Sequence, residues 1–238
     1  MQTLKEIILK ADGSCVVRKV DETEVSVAEL IIAEFTRDAV LVVHNAFTVE
    51  GLKVGLIKGP GGVYAFCWLE SLTLTCPWVS SGGVMTPAFT DETGQNPVIP
   101  MEWFAPSDMA LMFSAKLFEL NTITRPNDAC QLIAFSNGDQ RGFQLPLPNL
   151  YDNCNLCMGV FNGEGQDAQS AFTLALKQFR TSHWNADLFN SDKRNFSDKM
   201  FRFKPVADKF EQVHVADWSN YSFRCENATV NLLRNAML

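Results

Sequence analysis

Histidine is scarce in this 238-residue sequence, and the three present, His44, His183 and His214, stand far apart. Structural zinc takes four nitrogen or sulfur ligands, so the single CxxC, Cys154 to Cys157, is half a site with no other half, and no metal is expected. Positive charge is also in deficit. Twenty basic against 27 acidic residues give a formal charge of −7, which supplies no sequence-wide field for phosphate backbones or anionic lipid, so direct nucleic-acid binding is not expected. No run approaches the roughly 20 apolar residues of a membrane-spanning helix. The opening "MQTLKEIILKADG" holds an apolar stretch too short for the core of a secretory leader. Repeats and low-complexity tracts are lacking. An even cysteine set is lacking as well: seven (Cys15, Cys67, Cys76, Cys130, Cys154, Cys157, Cys225) cannot close a disulfide framework, and they point to a reducing cytoplasm. Most read as inert core thiols, Cys67 in "VYAFCWLE" among them.

What is present is ordinary globular material, 47% hydrophobic and 20% charged, enough for a sizeable core. "TLKEIILKAD" and "SCVVRKV" read as a hairpin turning at "DGS". "SVAELIIAEF" opens on Ser26 with Glu29 three residues on, the capping-box spacing, and predicts an amphipathic helix. "DAVLVVHNAFTVEGLKVGLIKGPGG" suits strand or helix alike, while "VYAFCWLE" and "SLTLTCPW" read as strands. "SSGGVMTPAFTDETGQNPVIP" has the composition of a long loop. "MALMFSA" and "KLFELNT" are expected as two strands, and "RPNDACQLIAFSNGDQRGFQLPLPN" as mostly irregular. In "DAQSAFTLALKQF", Asp167 is placed to cap a helix on which Ala168, Phe172, Leu176 and Phe179 share a face. Strands followed by helix imply an α+β fold. The basic and aromatic residues after 190, with Phe196, Phe201 and Phe203 among Lys193, Arg194, Lys199, Arg202 and Lys204, form either a docking surface that includes Trp184 or a tail packed on the core.

"LPNLYDNCNLCMG", residues 147–159, carries the chemistry. A thioredoxin-type pair would open a helix, whereas "MGVFNGEGQ" follows, so the CxxC is not expected in a redox fold. The stretch resembles the active-site signature of the ubiquitin-conjugating (UBC) superfamily, in which the catalytic Cys lies eight residues after the Asn of a His-Pro-Asn tripeptide. Asn149 and Cys157 have that spacing, and Pro148 stands in its place. In more detail it is similar to a divergent bacterial branch, the PRTRC system protein B type. The likeness continues in "APSDMALMFSAKLFEL", "RPNDACQLIAF" and "LKQFRTSHWNADLF", covering residues 60–190. Two positions depart from the pattern: Leu147 replaces the tripeptide's His, and Cys154 occupies a turn position that is typically Gly. An L-residue there would bear strain at positive φ.

The resemblance implies an antiparallel UBC-like meander with flanking helices over residues 60–190, an N-terminal hairpin-plus-helix extension (1–59) and a C-terminal tail (191–238). It implies a thioester carrier: Cys157 as nucleophile and Asn149 as the amide donor aimed at the tetrahedral oxyanion. His183, in a segment like the family's Thr-His-x-Asn, is the first choice of base for an incoming amine, ahead of Asp152 and Asp187. It further implies a ThiF-like activating enzyme, a ubiquitin-like β-grasp modifier and a protein acceptor as partners, with no cofactor. Each residue has a plainer alternative. Asn149 would pin the loop through backbone bonds, Cys157 would be a core thiol between Leu156 and Met158, and His183 would cap the helix ending near Thr181. Cys154 would be a small turn residue or a disulfide partner for Cys157. The alternative functions are a non-catalytic UBC-fold binding module and a structural accessory of a plasmid- or defence-type system.

Overall fold

The runs "YAFCWL", "ALMFSA" and "CQLIAF" hold too few polar residues for a sheet with one wet face, and each becomes a strand covered on both sides. In the computed structural model the described residues are 6–9, 14–18, 22–26, 40–59, 61–81, 84–88, 98–104, 108–118, 122–123, 130–138, 140–145, 147–159, 165–188, 201–206, 209–215 and 224–237. Three short strands, β1 (Glu6–Leu9), β2 (Ser14–Arg18) and β3 (Glu22–Ser26), form an antiparallel sheet of their own. The main sheet is antiparallel and contains β4 (Leu41–Val49), β5 (Leu52–Gly59), β6 (Gly62–Leu69), β10 (Met109–Phe118), β12 (Cys130–Ser136) and β13 (Gly142–Phe143), ordered β13-β12-β10-β6-β5-β4, with β11 (Thr122–Ile123) on β10. A second sheet, ordered β14-β15-β9-β7-β8, is made from β7 (Ser71–Ser81), β8 (Val84–Pro87), β9 (Val98–Phe104), β14 (Phe201–Val206) and β15 (Lys209–Val215). Its β15–β9 pair is parallel. Among the described residues two α-helices, α1 (Ala168–Thr181) and α2 (Ala228–Arg234), complete an α+β fold.

Alternation along the main-sheet strands divides the core in two. Ala65, Cys67, Leu111, Phe113, Leu132 and Ala134 face α1, together with Leu72, Leu74 and Cys76 of β7. Tyr64, Phe66, Met112, Ile133 and Phe135 face the other way, onto Val230 and Leu233 of α2. On the α1 side Phe113 stacks on Phe179 with ring centroids 4.8 Å apart and tilts against Phe172 at 5.6 Å. Gly142 admits the α2 segment: a Cβ there would lie 2.5 Å from Val230 Cγ1 and 3.2 Å from the Cys225 carbonyl oxygen.

Within the ambiguous run at 38–62, residues 41–59 form the β4–β5 hairpin. Val49 pairs with Leu52, and the two residues between them, Glu50 and Gly51, have φ of 49° and 83°, the type I′ turn that suits strand twist. Cys15 pairs with Leu9, which closes the expected N-terminal hairpin, but β2 also pairs with an unforeseen β3. Ser26, the expected helix cap, is the last residue of β3, and the rest of that expected helix lies outside the described residues. Of the expected pair of strands at 109–122, residues 109–118 form the single β10, and Thr122 opens β11. The stretches expected to be a long loop and an irregular crossing instead supply β8, β9, β12 and β13. Pro100 is tolerated in β9, inside the stretch whose composition predicts a long loop. The boundary expected after residue 59 divides a hairpin, because β5 and β6 pair from Val54↔Cys67 to Gly59↔Gly62. Residues 41–59 are therefore part of the main sheet. The region after 190 contributes β14 and β15 to the second sheet and α2 to the core.

Asp167 caps α1 as expected, and Ser170 completes a capping box in the place of the usual Glu. The bonds from Ser170 hold the Asp167 carboxyl below the usual carboxylate range. A depressed carboxyl stabilises the fold above its unfolded pKa, and that contribution is lost as pH falls through the folded one. Asp167→Ala should therefore cost about 1 kcal/mol in urea unfolding at neutral pH and less in acid. Phe113→Ala should cost about 3–5 kcal/mol in the same assay. A loss under 1 kcal/mol would mean that the α1-side core is not packed as described.

Candidate active site

After β13 the chain doubles back on itself. Leu150 bridges Leu156, the Tyr151 amide donates to Asn155 O at 2.9 Å, and the Cys157 amide donates to Asn149 O at 2.8 Å. The Tyr151–Cys154 turn between these arms is closed by a 3.0 Å bond from the Cys154 amide to Tyr151 O. This small hairpin then joins the main sheet: the Leu156 amide donates to Cys130 O at 2.9 Å and the Leu132 amide to Cys154 O at 3.1 Å. Because β10 pairs with β12 along its whole length, the hairpin takes the opposite edge of β12, beyond β13.

Buried polar side chains support it. Gln131 donates to Asn155 Oδ1 at 2.8 Å, and Gln144 donates to Tyr151 O at 3.2 Å and to Asp152 Oδ1 at 3.4 Å. Gln178 of α1 donates to Met158 O at 3.1 Å. These glutamines went unremarked in the sequence, yet a Gln in "CQLIAF" and another in "FQLPL" are signals. A polar side chain in an apolar run must find a partner once buried.

Asn149 is the hub. It is 7% exposed, has a left-handed backbone (φ 57°), and uses its whole carboxamide. Nδ2 donates to the carbonyl oxygens of Cys157 and His183, each at 3.2 Å, and Oδ1 accepts from the Asn185 amide at 2.9 Å. Segment 183–186 is held in turn by the second sheet, through a Thr75↔His183 bridge, a 2.9 Å bond from the Trp184 amide to Thr75 O and a 3.1 Å bond from the Ala186 amide to Ala88 O.

Asn149, Cys157 and His183, separated by up to 34 residues in sequence, thus meet around one side chain. Cys157 is half-buried, between the buried Leu156 and Met158, so its thiol is neither enclosed nor fully exposed. His183 is exposed beyond the end of α1, where the helix is capped by Ser182 rather than by the imidazole. Asn149 makes the backbone bonds of its plainer reading. In this conformation, donation to an oxyanion requires one of its two carbonyl bonds to open. Asp152 is exposed on the turn and receives Gln144, while Asp187 is exposed and donates its amide to Asn185 Oδ1. Trp184, a candidate for an exposed docking surface, is instead 2% exposed and packs edge-on against Phe179 at 6.0 Å, its backbone held by Thr75.

Cys154 has φ 68°, the conformation that made Gly the expected residue, and it is wholly buried on the α2 side of the core. Leu156 and Met158 face the α1 side, so the Cys154 thiol is directed away from the face those neighbours of Cys157 cover. Cys67, Cys76 and Cys130 are sealed in the α1-side core. Burial pushes the Cys67 thiol up to about 12, against a small lowering by Arg180, and pushes Cys76 and Cys130 up as well. Among the described residues no group of three or more His, Cys, Asp or Glu could hold a metal ion, and no helix is long and apolar enough to cross a membrane. Comparison with family models, curated proteins and solved structures gives no match to this chain.

Removing the Asn149 carboxamide takes a partner from two carbonyls and one amide in a part-buried setting, where the cost lies toward the low end of the about 1–3 kcal/mol of a buried unpaired group. Asn149→Ala should lower stability by at least that amount and speed amide exchange at Cys157 and Asn185 more than in β10. Uniform exchange across the sheet would show that Asn149 is not the clamp.

Proposed function

We propose that the chain is a ubiquitin-conjugating-like thioester carrier with a UBC-like sheet, receiving a ubiquitin-like β-grasp modifier from a ThiF-like activating enzyme on Cys157. The observation that supports this is the meeting of a half-buried thiol, a carboxamide eight residues before it and an imidazole-bearing segment beyond α1, all held by one side chain. Loading begins when the Cys157 thiolate attacks the thioester carbonyl on the activating enzyme. The tetrahedral oxyanion collapses, the enzyme's thiolate leaves and takes a proton, and the acyl group stays on Cys157. In discharge an acceptor amine attacks the new thioester and loses a proton, and the Cys157 thiolate departs, leaving an amide. His183 is the assigned base for that proton, and Asn149 positions Cys157 against the His183 segment. An oxyanion that forms beside Asn149 would compete with the Cys157 carbonyl for the amide, which would place donation in the transition state alone.

The same commitment of Asn149 to two carbonyls favours a second reading, a UBC-fold module that holds the modifier without being charged. Incubation with an activating enzyme, modifier and ATP separates the two. The carrier gives an adduct on non-reducing gels that dithiothreitol removes, lost in Cys157→Ala and kept in Cys154→Ser. The module gives binding with no adduct. His183→Gln should leave loading unchanged and slow discharge onto lysine by about 10²-fold, the low end of general-base catalysis. Equal loss of both steps would remove His183 from the chemistry. Iodoacetamide on the native protein should label Cys157 well ahead of Cys67, Cys76, Cys130 and Cys154. Prior labelling of any of those four would displace Cys157 as the reactive thiol.

A further inference from the structure

The turn at 152–154 has a neighbour from far along the chain. Arg224 bridges Phe143 and the Cys225 amide donates to Gly142 O at 3.0 Å, so the strand edge carries the 224–227 segment to the turn. There Asn227 Nδ2 donates to Asn153 O at 3.0 Å and lies 3.5 Å from Cys225 Sγ, while Cys225 Sγ lies 3.9 Å from Asp152 O. The Cys154 and Cys225 side chains share the α2-side core at 0% and 3% exposure. Cys154 is near enough for its side chain to interact with the Cys225 thiol and hold it below its usual value. Cys154 keeps its left-handed φ of 68° at a cost an L-residue rarely meets, and the same conformation delivers its thiol to this partner.

We propose that Cys154 and Cys225 are an oxidisable dithiol whose disulfide ties the Tyr151–Cys154 turn, and with it the hairpin bearing Cys157, to the segment that leads into α2. A diazene-dicarboxamide oxidant such as diamide supplies the balance. One thiolate adds to the N=N bond, and the second thiolate attacks the sulfur so captured. The hydrazine leaves with two electrons and two protons, and the S–S bond remains. The second step is favoured because the partner thiol lies beside it in the same buried cluster. This dithiol stands independently of whether Cys157 is ever charged.

The full chain treated with diamide, blocked with N-ethylmaleimide and digested with trypsin gives the test. No Lys or Arg lies between Arg141 and Lys177, and Arg224 and Arg234 bound the second fragment, so the expected product joins fragment 142–177 to fragment 225–234. It should persist in Cys157→Ser, vanish in Cys154→Ser and in Cys225→Ser, and accompany a higher urea midpoint that dithiothreitol reverses. Crosslinks lost in Cys157→Ser, a disulfide confined to fragment 142–177, or no crosslink under conditions that oxidise the urea-unfolded chain would each overturn the proposal. Failure here leaves the thioester assay untouched, and loss of the thioester adduct leaves this crosslink untouched.

Discussion

One carboxamide sets the geometry on which the site depends. Asn149 spends both amide protons on the carbonyls of Cys157 and His183 and its oxygen on the Asn185 amide. The first of these belongs to a hairpin annexed by the main sheet, while the other two belong to a segment hung on β7 of the second sheet. Its three bonds are therefore the polar seam between the two sheets at this point. They are made in a part-buried setting, where an unmet partner carries a cost, so the seam resists sliding. A side chain one methylene longer or shorter would miss at least one of the three.

The second constraint is the two-sided burial of the main sheet. With α1 on one face and α2 on the other, adjacent residues in a strand or in the site hairpin report to different environments. Cys154, Leu156 and Met158 show the effect within five residues: the first belongs to the α2-side core and the other two to the α1-side core. Of the two cysteines three apart, Cys154 is sealed in the α2-side core and Cys157 is half-buried. Spacing alone had made them look like one unit, a clip or a redox pair.

Legibility in the sequence followed the strength of local signals. The cap and apolar face of "DAQSAFTLALKQF" are local, and α1 ran almost as expected. The Asn149-to-Cys157 spacing and the segment around His183 pointed to residues that do converge, although what joins them, the bonds to two carbonyls and to the Asn185 amide, leaves no periodic trace. Strands covered on both faces lose the alternation that marks a strand, so β10 reads as two pieces in the sequence. Prolines mislead as well: Pro126, Pro146 and Pro148 make the stretch around β12 read as irregular, and Pro100, in the expected long loop, sits inside β9. The boundary after residue 59 failed because Gly-rich stretches mark tight turns as readily as linkers. Trp184 looked like surface among polar neighbours, and only the bond from its backbone to Thr75 explains its burial.

The parallel pairing of β15 with β9 joins Phe210 to Met101 and Glu211 to Glu102, and Cys225 reaches back to Gly142. Contacts spanning so much chain close loops of high entropic cost and slow the search for the native state. On a translating ribosome, synthesis of residues 41–159 would leave the α2 side of the main sheet bare. The apolar surface of Phe66, Met112 and Phe135 would stay uncovered until residues 224–237 clear the exit tunnel. For that interval the nascent protein carries a half-finished sheet with apolar surface open to water.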